Sequence, residues 1–190
     1  MKLTGAITLL AVIFLFGVSQ TLPSLPSAGP STGSPQLALQ PKALPQIGLP
    51  IESIRSTDLR DSFNELHDGH RHGAIDLMAP RGTRVLAVTG GRIEKLFLSK
   101  AGGKTIYEFD DSGTYCYYYA HLDHYAAGLS ERMHVSRGTI IGYVGSTGDA
   151  SPDAPHLHFA IYLLDSKAAW WAGVPINPYP VLLFSLGGGH

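Results

Sequence analysis

The sequence predicts a mainly β domain, a compact antiparallel sheet or sandwich, that follows an N-terminal signal segment and a proline-rich linker. Three observations support this fold class. Short runs rich in Val, Ile, Tyr and Phe recur after residue 83, Gly, Asp and Ser turns separate them, and only two short stretches have helical character. The chain has 190 residues, of which 44% are hydrophobic and 15% charged, so it can bury one core.

The first 20 residues are predicted to be a signal peptide or a membrane anchor. Lys2 precedes an apolar run over residues 3–18, which is shorter than the ~20 residues of a typical membrane-spanning helix. Gly17 and Ser19 offer only a weak cleavage site, so a retained membrane tether through residues 3–18 stays open. In either case we expect export to the periplasm or cell envelope, or secretion.

Residues 21–50 are predicted to be an extended linker. They hold seven of the thirteen prolines together with many Ser, Leu and Gln residues, a composition typical of low-complexity segments. The linker contains no His, Asp, Glu, Asn or Cys, so we expect no inhibition of a metal site by this segment. The folded domain is predicted over residues 51–184, and residues 185–190 are expected to form a flexible tail.

Six strands are expected within the folded part. They cover residues 84–88, 91–98, 104–109, 114–121, 139–144 and 156–164. Turn-forming sequences separate them, among them Pro80-Arg81-Gly82 and the run from Asp110 to Gly113. Short helices are expected only around residues 56–65 and 125–132.

Charge and cysteine content exclude some classes of protein. The net charge is −1 and no long Lys/Arg run occurs, so we expect no nucleic-acid partner. The single cysteine, Cys116, excludes an intramolecular disulfide and is expected to be a small residue of the core.

Histidines in separate fragments give the strongest indication of chemistry. His156 and His158 are two residues apart on an expected strand, so they point into one space. His72 and Asp76 would lie ~13 Å apart in an extended chain, too far to share an ion, so the chain must curl between them. His121 lies in a third fragment, Tyr-Ala-His-Leu.

These fragments predict a catalytic metal site. Two histidines and one aspartate leave an open position for water, which is the design of a hydrolytic zinc centre, with two histidines remaining for proton transfer. No His-Glu-x-x-His motif is present, so a histidine, with an unperturbed pKa of ~6.5, would have to serve as the base.

The spaced motifs resemble those of the lysostaphin/LytM-type zinc metallopeptidases, which cleave peptide bonds in bacterial peptidoglycan. The resemblance runs from about residue 59 to about residue 180. It rests on His72-Gly73-Ala74-Ile75-Asp76, Ala79-Pro80-Arg81-Gly82-Thr83, Tyr119-Ala120-His121-Leu122, the glycine ladder between Val135 and Gly148, and His156-Leu157-His158-Phe159.

The resemblance implies a role for each site residue, in a groove over an antiparallel sheet. His72, Asp76 and His158 would bind one Zn²⁺ per chain, and His121 and His156 would flank it without binding. We assign His156 as the general base and His121 as the partner of the oxyanion or leaving group, a hypothesis in which the two roles can be exchanged.

Tyr119 is predicted to contact the substrate. Tyr115, Tyr117, Tyr119 and His121 alternate along one expected strand and therefore share a face. If His121 faces the metal, Tyr119 faces it too, whereas Tyr115 and Tyr117 are expected to pack under a loop.

Three functions stay open from the sequence. The first is an active endopeptidase acting on peptidoglycan stem peptides or cross-bridges, either glycine bridges or direct stem cross-links. The second is an inactive relative that binds cell wall or activates a separate amidase, which the presence of all three ligands and both auxiliary histidines argues against. The third is a carrier or phosphotransfer module, which would need a lysine at a hairpin tip where Arg137-Gly138 stands.

Overall fold

A computed structural model describes residues 46–67, 69–164 and 173–187. The predicted signal or anchor segment, most of the predicted linker and residues 188–190 of the tail lie outside the described residues. Within those three ranges, no helix is both long and apolar enough to cross a membrane.

The described chain is mainly β, which confirms the predicted fold class. The strands are β1 (Leu66–His67), β2 (His70–Arg71), β3 (Ile75–Met78), β4 (Arg84–Leu86), β5 (Gly91–Ser99), β6 (Gly103–Asp110), β7 (Tyr115–Tyr125), β8 (His134–Val135), β9 (Ile140–Val144), β10 (His156–Leu164) and β11 (Gly173–Ile176). One α-helix, α1 (Pro178–Leu186), and a 3-10 turn over Ser56–Asp58 complete the elements of the described ranges.

Nine of these strands form one antiparallel sheet, and β1 and β2 form a separate hairpin. The main order is β11-β10-β7-β6-β5-β8, with β3 paired to β10, and β9 paired to both β4 and β7. Strand β10 therefore has β7 on one side and β3 on the other, with β3 along its first half and β11 along its second.

The two faces of this sheet have different roles. Phe159 pairs with Tyr119 on β7 and with Ile75 on β3, and all three side chains are fully buried in the core. Burying side chains of this size stabilises the fold by about 1.5–3 kcal/mol each. Cys116 is also buried, as predicted. Because side chains alternate along a strand, the sequence neighbours of Phe159, Tyr119 and Ile75 emerge on the opposite face of the sheet.

The helix predictions were wrong. Residues 56–65 form only the 3-10 turn over Ser56–Asp58, and residues 125–132 contain the end of β7 followed by turns, with the N–H of Leu129 donating to Ala126 at 3.1 Å. The helix that does form, α1, has Asn177 as its N-cap and Pro178 at its first position. That Asn-Pro pair is a standard helix-start signal, and it was available in the sequence.

Packed residues extend beyond the range 51–184 at both ends. Ile47 is buried, and the neighbouring Gly48 N–H donates to the Val88 carbonyl at 2.6 Å. At the other end, the Ser185 hydroxyl donates to the Ile47 carbonyl at 2.9 Å. The last residues of the predicted linker are therefore packed against the domain.

Beneath the sheet lies a buried carboxyl group, Glu108, which is hydrogen-bonded to the Tyr119 hydroxyl. The Val88 N–H donates to the Tyr119 oxygen at 3.1 Å and lies 3.4 Å from Glu108. Burial raises the pKa of Glu108 to about 7, although the bonds from Tyr119 and the backbone oppose the rise. Ionising this carboxyl therefore works against folding.

We expect Glu108→Gln to remove part of the pH dependence of stability. The pKa of Glu108 in the folded protein lies above the usual value of 4.5. Its contribution to the free energy of unfolding is therefore full below pH 4.5 and is lost as pH rises through 7. Between pH 5 and pH 8 the wild-type free energy of unfolding should fall by about 2–3 kcal/mol more than that of the variant. Urea unfolding at both pH values measures this.

All other ionisable groups are the same in the two proteins, so the difference between the two stability curves isolates Glu108. Glu52→Gln, at an exposed position, is the matched control and should follow the wild type. Identical pH dependence in wild type and Glu108→Gln would contradict the prediction.

Candidate metal centre

Strand register brings two of the predicted ligands together. Asp76 on β3 is the direct antiparallel partner of His158 on β10. Directly opposed residues project from the same face with Cβ atoms ~4.5–5.5 Å apart. The Nδ1 atom of His158 consequently lies 3.2 Å from Oδ1 of Asp76.

A turn at Gly73 adds the third predicted ligand, His72. Gly73 has a φ of 66°, a left-handed conformation that glycine adopts without steric cost. The bend lets Nε2 of His72 approach to 3.0 Å from Nδ1 of His158 and 3.2 Å from Oδ1 of Asp76. The curl expected from the sequence is therefore present.

The three donor atoms fit a tetrahedral metal ion. Ligands bonded at ~2.0–2.1 Å to a tetrahedral ion are about 3.3 Å from one another, close to the separations of 3.0–3.2 Å observed here. Oδ1 of Asp76 is buried and has no hydrogen-bond partner of adequate geometry in the described part of the chain. A buried carboxylate oxygen of this kind is stabilised by a cation, so the residues fit a divalent metal.

Hydrogen bonding and charge suit the predicted ligands to a metal. The Nδ1–H of His72 donates to the Ser62 carbonyl at 3.2 Å, which leaves a lone pair on Nε2. Burial opposes ionisation of Asp76, but His158 and His72 outweigh it and hold the pKa of Asp76 well below its usual range. Burial lowers the pKa of His158, although Asp76 opposes this effect. The lowered pKa favours the neutral ring, which is the form that binds a metal.

The other two histidines lie beside this cluster. The ring of His121 is 4.9 Å from that of His156 and 5.6 Å from that of His158. Nδ1 of His121 contacts the Thr147 carbonyl and Nδ1 of His156 contacts the Ala154 carbonyl, both at 2.8 Å. Each neutral ring therefore donates from Nδ1 and keeps the Nε2 lone pair for another partner.

His121 reaches the groove because β7 contains a bulge. Three residues of β6, Lys104 to Ile106, face four of β7, Tyr119 to Leu122, so β7 has one extra residue. His121 itself has a φ of 59°, and its N–H donates to the Gly102 carbonyl at 2.8 Å. The extra residue breaks the alternation, so Ala120 and His121 both line the groove.

The bulge makes the prediction for Tyr119 wrong. Tyr119 is completely buried, and its hydroxyl bonds to Glu108 on the core side of the sheet, where no substrate can reach it. Tyr118 lines the groove instead, with its ring 5.9 Å from that of His158. Strict alternation counted from His121 assigns these two tyrosines to the wrong faces.

The groove has a volume of about 490 Å³ and contains all five predicted metal-binding and catalytic residues. Other residues that line it were given no role in the predicted site. These are His70, Arg71, Ala101, Gly102, Tyr118, Ala120, Asp149, Ala150 and Ser151.

Two glycine-containing loops meet behind His121. Gly148 has a φ of 81°, and a Cβ added there would overlap the carbonyl oxygen of Ala101. The Asp149 N–H donates to that same oxygen at 2.9 Å. Since Thr147 on this loop holds Nδ1 of His121, the close packing sets the position of the ring.

We expect Gly148→Ala to destabilise the fold and reduce activity. The clash with Ala101 should cost about 1–3 kcal/mol beyond the strain of the left-handed backbone and displace Thr147. Gly128→Ala is the control, because Gly128 has a φ of 80° and open space around it. Urea unfolding of both variants measures the difference, and equal losses would show that the loops do not pack in this way.

Comparison with known proteins identifies the class. The model of Peptidase family M23 matches residues 70–178, more than half of the chain. The chain therefore belongs to Peptidase family M23, which confirms the lysostaphin/LytM resemblance.

Individual relatives agree with this membership. The chain is 33% identical over 116 residues to the L-Ala–D-Glu endopeptidase of Bacillus subtilis (strain 168), covering 58% of this chain and 34% of that protein. It is 33% identical over 143 residues to the DD-carboxypeptidase/endopeptidase Mpg of Neisseria meningitidis serogroup B (strain MC58), covering 72% of this chain and 30% of the relative. The chain thus spans about a third of these curated relatives.

A solved structure shows the same fold. The catalytic domain of the antimicrobial peptidase lysostaphin from Staphylococcus simulans superposes with a TM-score of 0.53 at 31% identity. The match covers 61% of this chain and 82% of that domain.

Proposed function

We propose that this protein is a zinc-dependent endopeptidase that hydrolyses peptide cross-links in bacterial peptidoglycan. The observation that carries the proposal is the triangle of donor atoms on His72, Asp76 and His158, with two further histidines beside it. Membership of Peptidase family M23 and relatives named as endopeptidases support it.

His72, Asp76 and His158 would hold the zinc ion. Zinc in such a site supplies Lewis acidity and allows water to act as a nucleophile near neutral pH. The Asp76 carboxylate balances part of the metal charge, and its pKa, held low by the two histidines, keeps it ionised over the physiological range.

His156 is suited to accept the proton from the attacking water. Its Nε2 is unprotonated when Nδ1 donates to Ala154, and it lies 3.8 Å from Oδ1 of Asp76. At that distance the carboxylate is close enough to stabilise the imidazolium that forms.

His121 is suited to assist the oxyanion or the leaving amine. Burial lowers its pKa, and the Thr147 carbonyl partly opposes this effect. The ring is therefore neutral at rest, and it can donate from Nε2 only after it has gained a proton. The bulge in β7 sets the position of the His121 ring in the groove.

The arrangement favours an active enzyme over an inactive relative that binds cell wall or activates an amidase. A binding protein would not need Nδ1 of both auxiliary histidines tied to backbone carbonyls, with both Nε2 atoms left available. Export to the periplasm or envelope, and a membrane tether through residues 3–18, remain proposals that rest on the N-terminal sequence alone.

Two substitutions should separate metal binding from proton transfer. We expect the full-length protein to contain about one zinc per chain, and His158→Ala to lose both zinc and activity because it removes a ligand. His121→Ala should keep zinc while activity falls about 10²–10⁴-fold, the usual contribution of a positioned acid or base. Metal analysis and release of peptides from purified peptidoglycan measure both properties.

His134→Ala, at an exposed histidine outside the groove, is the control and should resemble the wild type. Zinc-loaded wild type that cleaves no peptidoglycan, whatever its cross-link, would contradict the proposed activity and favour the wall-binding alternative.

A further inference from the structure

Two charges of opposite sign line the groove without ionic partners. Arg71 on β2 and Asp149, in the loop after Gly148, are both exposed and both line the groove. Across the described residues, neither side chain forms a salt bridge or hydrogen bond. By contrast, Arg81 pairs with Asp123 at 2.6 Å and Arg84 with Glu52 at 3.4 Å, both outside the groove.

These two charges adjoin different histidines of the groove. Arg71 directly precedes His72, and Asp149 is two residues beyond Thr147, which holds His121. The ring of His158 is near both of these histidines, 4.7 Å from that of His72 and 5.6 Å from that of His121. The cation therefore adjoins a predicted metal ligand, and the anion adjoins the loop that holds a predicted proton-transfer histidine.

We propose that Arg71 and Asp149 select the substrate by charge, an inference that rests on the proposed endopeptidase function. Arg71 binds a carboxylate of the peptide on one side of the scissile bond, and Asp149 binds an ammonium group on the other. The preferred substrate class is then a stem-peptide cross-link carrying both charges, and not an uncharged oligoglycine bridge.

The chemistry of both side chains suits these ligands. A guanidinium matches a carboxylate with two parallel hydrogen bonds, and a carboxylate accepts from an ammonium group. Because both groups are solvated, each pair contributes modestly on its own, but contacts beside the reacting bond also fix the position of the peptide. We therefore expect an effect of about tenfold for each pair.

The test uses three synthetic cross-linked stem-peptide dimers and full-length, zinc-loaded protein. The parent dimer has a free terminal carboxylate and a free side-chain amine, the second dimer has the carboxylate as carboxamide, and the third has the amine acetylated. For wild type, kcat/KM should fall about tenfold with each modification, mainly through KM. Arg71→Gln should no longer distinguish the first two dimers, and Asp149→Asn should no longer distinguish the first from the third.

Arg84→Gln and Asp153→Asn are matched controls, because both residues are exposed and lie outside the groove. Both variants should discriminate among the dimers as the wild type does. Equal cleavage of all three dimers by wild type, or unchanged discrimination by Arg71→Gln and Asp149→Asn, overturns the inference.

A binding measurement separates this inference from the proposed catalytic activity. The same dimers are titrated calorimetrically against zinc-loaded His121→Ala, with and without Arg71→Gln or Asp149→Asn. If wild type cleaves neither dimers nor peptidoglycan, the proposed activity fails, and charge-dependent binding still supports recognition by Arg71 and Asp149. Binding that is insensitive to amidation, acetylation and both substitutions overturns that recognition.

Discussion

The site depends on the register between β3 and β10. Antiparallel pairing places Asp76 directly opposite His158, so two predicted ligands that are distant in sequence become neighbours through backbone hydrogen bonds. A shift of one residue would send one of the two side chains into the core, where Phe159 and Ile75 now pack. The burial of those apolar side chains therefore maintains the geometry of the polar site on the other face.

A second constraint is the interruption of β7. Regular alternation would direct either Ala120 or His121 towards the groove, but not both. Because of the bulge, Ala120 and His121 both line the groove. Ala101 packs against Gly148 and closes the loop that holds the His121 imidazole. The His121 side chain thus lies on an irregular piece of strand that its neighbours hold in place, and β-bulges are common next to active sites.

Much of this architecture could be predicted from local sequence. Runs of β-branched and aromatic residues located the long strands, and the spaced histidine motifs identified the residues that the fold brings together. Tyr119 shows where such reasoning stops, because the bulge that reverses its orientation is set by contacts with Gly102 and Thr147, which are not adjacent in sequence. The same holds for Arg71 and Asp149, since no local pattern shows that two separate loops line one groove.

The three proposed ligands come from separate parts of the chain, so the supply of metal should affect how long the folded protein survives. His72 lies before a glycine bend, Asp76 on a short strand and His158 on a central strand, so an unfolded chain has no comparable site. Binding energy gained only by the folded chain adds to its stability. We therefore expect metal scarcity to increase local opening of β3 and the bend before it, and to shorten the lifetime of the protein where proteases are present.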